Sequence, residues 1–440
     1  MERRSFARTR RDRQHGRFWP HALVYTTLLL AIAAMAHAAA PIGLSEESTD
    51  WPQFLGPRRN GISAETGLLD EWPKDGPKEL WRVPGGVGMS GLAIRGGRLV
   101  TLVQRDGKQW LVAHDARTGN PLWQAALAPE YQNPMGNGPR GTPAIAGDRV
   151  FAFTGEGILA CVSFDDGKVL WSRDVVTELG AEPAGYGMAC SPLVVGNSVI
   201  VTVGAPEATV AAFDLRSGKL AWKVGDDPTG YSSPTILKVG GREQIVAATG
   251  ASILGLAPKT GAVLWRYPFE TNFNCNIASP IAIEEHVFIS SGENHGSVLL
   301  DLKSAGDRFE VDEVWSSLGP KSVLRSEWQT SLLLDGYLYG MDNVGGAGPI
   351  THLTCVKAAT GERAWQKSRF GKGNLIAADG KLFISTMAGE LVVLRATPEK
   401  FDEIGRAVVI GSTRQAPALV DGLIYLRDDA EIVCLDVRLP

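Results

Sequence analysis

DARTGNPLW, residues 115–123, decides the fold, because the chain writes it five times. DDGKVLW stands at 165–171, DLRSGKLAW at 214–222, PKTGAVLW at 258–265 and KAATGERAW at 357–365. In each copy an apolar stretch such as ILACVSF runs into a tight Gly turn that carries all or part of an Asp-x-x-Thr-Gly pattern, and a second stretch ends on Trp. The Asp and Thr side chains can bond backbone groups within the turn, and Gly takes the positive φ that other residues resist. Two strands joined by a tight turn make a hairpin, and the Trp offers a large flat surface to a neighbouring unit.

A second phrase precedes each Trp phrase. SGLAIRGGRLVTL starts at Ser90, TPAIAGDRVFAF at Thr142, SPLVVGNSVIVT at Ser191 and SPTILKVGGREQIVAA at Ser233. SPIAIEEHVFIS starts at Ser279, TSLLLDGYLYG at Thr330, NLIAADGKLFIS at Asn374 and APALVDGLIYL at Ala416. Each is an apolar run, a turn and an alternating run, which is another hairpin. One unit is therefore four short antiparallel strands, A to D. The tryptophans at 81, 123, 171, 222, 265, 315 and 365 recur every 42 to 51 residues, and FDEIGRAVVI near Ile404 takes the next place without one. Four strands in so short a repeat describe a β-propeller and not a helical solenoid.

Eight A–B hairpins predict an all-β fold of eight four-stranded antiparallel blades. The ends predict how the ring closes. PKELWRV, Pro77 to Val83, is a D strand with nothing before it, and AEIVCLDV, Ala430 to Val437, is a C strand with nothing after it. Pairing the two completes the eighth blade and leaves no open edge between the termini.

The first forty residues read differently. A basic head, MERRSFARTRRDRQHGR, precedes the apolar run Ala22 to Ala36, and Ala36-His37-Ala38 supplies small residues at a signal-peptidase spacing. This describes a secretory signal peptide over 1–40 with cleavage near Ala38. The run is short for a membrane span, so no stable membrane insertion is expected after cleavage. Residues 41–76 form a Pro/Gly-rich lead, expected to pack on the side of the propeller at 77–440. Without residues 1–40 the chain carries 37 Lys and Arg against 46 Asp and Glu, with no basic stripe, which excludes nucleic acid as a partner. The five cysteines, Cys161, Cys190, Cys275, Cys355 and Cys434, are odd in number and lack a C-x-x-C, which suits neither a disulfide scaffold nor a zinc knuckle.

The A-x-D-x-x-T-G-x-x-x-W phrase, repeated around a ring of eight, resembles the pyrroloquinoline-quinone (PQQ)-like repeat. That family includes quinoprotein alcohol dehydrogenases and BamB-type outer-membrane assembly factors, and WPQFLGPRRNGIS at 51–63 resembles the opening of secreted members without an assigned cofactor. The resemblance spans about 51–437. It implies two functions: a non-catalytic binding scaffold, or a PQQ- and calcium-dependent dehydrogenase. In the dehydrogenases the quinone stacks between a Trp and a disulfide of adjacent cysteines, and Glu, Asn and Asp bind calcium. Here no two cysteines adjoin, no C-x-x-C-H haem site occurs, and no calcium set can be matched. No cofactor is expected.

Turn lengths place the candidate site. The A–B and most C–D turns are tight, whereas the D–A connections 124–141, 172–189, 266–278 and 316–329 are long. Long loops around a central funnel are where a ligand or partner binds. The residues at that mouth are Arg140, Tyr186, Met188, Tyr231, Asn274, Asn276, Arg325, Glu327, Trp328, Arg414 and Gln415. Three arginines beside amides and aromatics suit a small anionic or sugar ligand or an acidic peptide. The same residues also suit mutual pairing and hydration within the channel. Glu293, His295, Asp342 and His352 lie on B–C turns of adjacent blades, where a metal set and plain turn hydrogen bonding are the two readings. The reading reached is a secreted, non-catalytic, monomeric binding propeller that grips a protein partner or small ligand on the long-loop face.

Overall fold

A computed structural model describes residues 49–73, 76–346 and 348–439. The expected signal segment and its cleavage position lie outside them. Among the described residues no helix is long and apolar enough to cross a membrane.

The strands of the described residues form eight four-stranded antiparallel sheets. Blades 1 to 7 occupy residues 93–129, 144–174, 193–224, 235–268, 281–318, 332–367 and 373–408. Blade 8 combines three strands between Ala418 and Asp436 with the strand Lys78–Pro84. That strand pairs antiparallel with Glu431–Asp436, in a register running from Lys78 opposite Asp436 to Pro84 opposite Glu431. The ring is closed as the chain ends predict. Alternating buried residues of the inner strands fill the gaps between blades with Val, Ile, Leu, Phe and Ala.

The repeated phrase is an interblade clasp. In every blade the C–D pairing slips by one residue beside the Trp position, as between Cys161 and Val162 opposite Trp171. The bulge turns the indole toward the next blade. Trp81, Trp123, Trp171 and Trp315 each donate Nε1–H to a C–D-turn carbonyl there: Ala116, Phe164, Leu215 and Ala358, at 2.9–3.0 Å. Each of these rings also covers the turn glycine. A Cβ added to Gly119, Gly167, Gly218 or Gly361 would lie 2.7 to 3.0 Å from the indole of the preceding blade. The turn glycine is thus required twice, for its positive φ and for the flat ring above it.

Other blades depart from this pattern: Trp222 of blade 3 covers Gly261 of blade 4, but its buried Nε1 has no hydrogen-bond partner among the described residues. Blade 5 has a longer C–D hairpin without Thr-Gly, and Trp265 of blade 4 turns inward to donate to Gln244 Oε1 at 2.7 Å. Blade 8 has no C–D turn, since its D strand, Lys78–Pro84, comes before the other seven blades in the chain and its C strand after them, and blade 7 carries Gly405 where others carry Trp. Trp72 of the N-terminal lead fills that place, packed so closely that a Cβ on Gly405 would meet it at 2.3 Å.

The lead does not simply lie on the side. Residues 51–63 enter the axial channel from the tight-turn face. Trp51 exchanges two backbone hydrogen bonds with Ile94 of blade 1 (2.8 and 2.7 Å), and Pro52 O accepts from Ile145 N of blade 2 (2.8 Å). Arg59 donates to Ser191 O (3.0 Å) and Pro192 O (3.1 Å) at the start of blade 3. Gly61 and Ser63 then bracket Ala377 of blade 7 at 2.8 Å each. Blades 3 and 7 face one another across a ring of eight, so the segment crosses the axis. Beyond Leu68 it leaves the channel, and Trp72 and Gly76 run along the outer strand of blade 7.

Candidate functional site

With its back closed, the channel becomes a one-ended cup. Trp51, Phe54 and Leu55 of the crossing segment line a cavity of about 240 Å³ together with residues of the long-loop face.

A belt of hydrogen bonds builds the wall. The residue just before each inner strand is often Ser or Thr, and its hydroxyl serves the blade before it. Thr142 Oγ1 accepts from Gly91 N (3.2 Å), Ser191 Oγ from Thr142 N (3.0 Å) and Ser233 Oγ from Ser191 N (2.9 Å). Ser279 Oγ donates to Ser233 O (2.9 Å), and Thr330 Oγ1 accepts from Ser279 N (3.0 Å). Asn374 Nδ2 to Arg414 O (2.7 Å) and Gln415 Nε2 to Gly88 O (2.7 Å) make the corresponding links from blade 7 to blade 8 and from blade 8 to blade 1. These bonds satisfy main-chain groups that the short inner strands leave over. The sequence signal was the recurring Ser/Thr-Pro, which reads first as a strand boundary.

Seven of the residues expected at the mouth line one cup: Arg140, Tyr186, Tyr231, Glu327, Trp328, Arg414 and Gln415. Arg140 is buried. Its guanidinium donates to Tyr186 O (2.5 Å), Gly136 O (2.7 Å) and Gly138 O, and lies 4.7 Å over the Tyr131 ring. Burial, with the Arg414 cation adding to it, pulls the Arg140 pKa below its ordinary value. Arg414 donates to Met135 O at 2.7 Å and stands 5.2 Å over the Trp328 ring. Tyr186 and Tyr231 stack at 5.4 Å, and the Tyr231 hydroxyl accepts from Tyr186 N. Glu327 is held by Lys372 Nζ at 2.7 Å, while burial pushes its pKa up.

Four expected residues stand elsewhere. Arg325 is no funnel ligand: it makes a bidentate pair with Asp342, Nε to Oδ1 at 2.7 Å and Nη2 to Oδ2 at 2.8 Å, with both side chains buried. Asn276 is a buried strut whose amide donates to Thr249 O and Phe269 O at 2.8 Å. Asn274 is exposed in the short 3-10 turn Asn272–Asn274, and Met188 is in the core between blades 2 and 3. Glu293, His295, Asp342 and His352 do not gather. Asp342 belongs to Arg325, His295 packs edge-on against Phe269, and His352 Nδ1 accepts from Arg369 N. Among the described residues no three His, Cys, Asp or Glu converge as a metal set. The cup also holds Met89, Met135 and Cys275, which sequence reading did not place at the mouth, and Glu293, which it placed in the turn set.

The residues present do not fit a calcium-bound quinone. All five cysteines are free thiols, and burial pushes the Cys275 pKa up to about 11. The Glu327 carboxylate is already neutralised by Lys372, and the Lys372 ammonium lies 4.6 Å over the Trp328 ring beside the Arg414 cation. Among the described residues neither the stacking pair nor the cation ligands of the dehydrogenases are assembled.

The family described as outer membrane protein assembly factor BamB matches residues 107–367, more than half of the chain. The outer membrane protein assembly factor BamB of Yersinia pestis is 21% identical over 257 residues, covering 58% of this chain and 63% of that protein. The quinoprotein alcohol dehydrogenase PedH of Pseudomonas putida is 29% identical over 214 residues, 46% of this chain and 35% of PedH. This chain thus spans less than two thirds of the length of either relative. The crystal structure of the quinohemoprotein alcohol dehydrogenase of Comamonas testosteroni superposes with a TM-score of 0.65 at 15% identity, covering 89% of this chain and 82% of that one. At that identity the likeness is one of fold. The breadth of the family match and the ring of clasped blades agree: this chain belongs to the BamB family of PQQ-like-repeat propellers.

Proposed function

We propose that this propeller is an extracytoplasmic, non-catalytic binding module that holds a partner segment or small ligand on its long-loop face. The observation that supports the reading best is the blocked channel: residues 51–63 close one end, and the other opens in a cup with two arginines at its rim. A ligand therefore has one way in. Around that opening the loops expose apolar side chains, Phe273 at 70% and Met135 at 45%, as interaction surfaces do. The name of the BamB relatives, assembly factors, and the expected leader peptide point the same way.

A photo-crosslinker tests the face. Placed at Phe273 it should capture a discrete partner in the extracytoplasmic fraction, and placed at Gly196, in a tight turn of the opposite face, it should not. Equal capture from both faces defeats the proposal. So does a quinone that stays bound after PQQ and Ca²⁺ are added and supports dye reduction with alcohols.

A further inference from the structure

We infer that the cup takes an apolar monocarboxylate, a ligand with a compact hydrophobic body and a single carboxylate head. The inference rests on the binding-module reading and adds the chemistry of what is bound. The floor is Trp51, Phe54 and Leu55, with Leu92 and Ile277 on the walls. The wall hydroxyls of Thr142, Ser191 and Ser233 each already accept a main-chain N–H in the belt, and the surface around them is mainly apolar, so the depth favours an apolar body. A dry cavity of roughly 150 Å³ already admits benzene. The cup, at about 240 Å³, has room for one ring with a short chain.

Charge at the mouth selects the head. Arg140 and Arg414 donate to main-chain carbonyls and, for Arg414, to the Met89 sulfur, and neither forms an ion pair among the described residues. Carbonyls satisfy the N–H groups but leave the charge; a carboxylate satisfies both and fits the planar fork of a guanidinium. Arg140 precedes blade 2 and Glu327 precedes blade 6, so they stand across the ring from one another. On the Glu327 side Lys372 neutralises that carboxylate, while Glu293, which also lines the cup, carries no ion pair among the described residues. A second negative charge on the ligand would meet Glu293, hence a monoanion. The carbonyls of Met135 and Gly136 belong to the loop between blades 1 and 2, so a bound carboxylate competes with that loop for the guanidinium donors.

Titrating 3-phenylpropionate and its uncharged amide into the full chain, followed by calorimetry and tryptophan fluorescence, tests the inference. The acid should bind at least about tenfold more tightly than the amide, and Arg414→Gln should lose about that factor without a change in melting temperature. Arg173→Gln, on an outer strand, should leave the acid's affinity unchanged. A peptide ending in Phe, with its terminus free or amidated, separates the sources of the same chemistry. If the free-ended peptide binds more tightly than the acid, the ligand is a protein chain end; if more weakly, it is a small acid. Equal affinity for acid and amide, or no binding by any of the four probes, overturns the inference. Crosslinking from Phe273 that persists in that case leaves the binding-module reading standing.

Discussion

Trp171 of blade 2 lies flat over Gly218 of blade 3, so close that a Cβ on Gly218 would come within 2.7 Å of the indole, while its Nε1 donates to Leu215 O at 3.0 Å. Position and conformation both depend on this glycine, whose φ is +66°. Gly196 has nearly the same φ, +57°, with nothing within 4 Å of its absent side chain. Gly196→Ala should therefore cost about 1 kcal/mol, the left-handed penalty alone, and Gly218→Ala about 2–4 kcal/mol, because overpacking adds to it. Denaturant unfolding of the two variants measures the difference. Equal costs would mean that the indole is not a clasp.

The seam between blade 8 and blade 1 is closed by a buried cation as well as by strand pairing. Arg427 is 1% exposed, and its guanidinium donates to Leu102 O (2.6 Å), Thr101 Oγ1 (3.1 Å), Gly86 O (2.5 Å) and Ser90 O (3.3 Å). Burial pulls its pKa down to about 10, which still leaves it charged at neutral pH. Arg427→Met keeps the volume but strands several buried carbonyls, each worth about 1–3 kcal/mol when unsatisfied. The expected outcome is a loss of about 3 kcal/mol or more, with new proteolytic cleavage between Pro84 and Ser90. Cleavage elsewhere first would place the weak point of the ring away from this seam.

The ring was legible because it repeats. Each Asp-x-x-Thr-Gly and Trp is a local signal, and seven tryptophans at one spacing carry a conclusion that none carries alone. The mouth was legible in part, since topology puts residues just before each inner strand at the long-loop face, and Arg140, Glu327, Trp328 and Arg414 are such residues. What escaped is written once. Nothing in WPQFLG says that Trp51 and Phe54 will floor a channel, because that outcome depends on backbone bonds to Ile94 and Ala377, far along the chain. Arg325 escaped because its partner, Asp342, faces it from a strand of the next blade, and side-chain pairing has no period.

That pair yields a prediction about what Arg325 does. With both side chains buried and two short bonds between them, removing one partner leaves an unpaired buried charge. Asp342→Ala should cost about 3–5 kcal/mol, whereas the double change Arg325→Met with Asp342→Leu should cost far less. Unfolding free energies of the two variants and the parent measure the difference. Neither variant should alter ligand binding at the cup, and a double variant that folds but binds nothing would return Arg325 to the site.

The turn aspartates give the fold a pH signature. Asp214 accepts from Ser217 Oγ (2.7 Å), Ser217 N (2.8 Å) and Arg216 N (3.2 Å), and Asp115 accepts from Thr118 Oγ1 and N (both 2.8 Å) and Arg117 N (3.1 Å). The hydroxyl bond first, then the backbone N–H groups, hold both carboxyls below the usual carboxylate range. A group whose folded pKa is depressed binds fewer protons folded than unfolded in the interval between the two values, so stability rises with pH there. The contribution is complete above the unfolded pKa and disappears as pH falls through the folded one. Melting temperature should therefore drop less between about pH 5 and about pH 3 in the Asp115→Asn, Asp214→Asn double variant than in the parent. Parallel drops in the two proteins would show that these turns keep no charged cap, and the Asp of the repeated phrase would then be a steric choice.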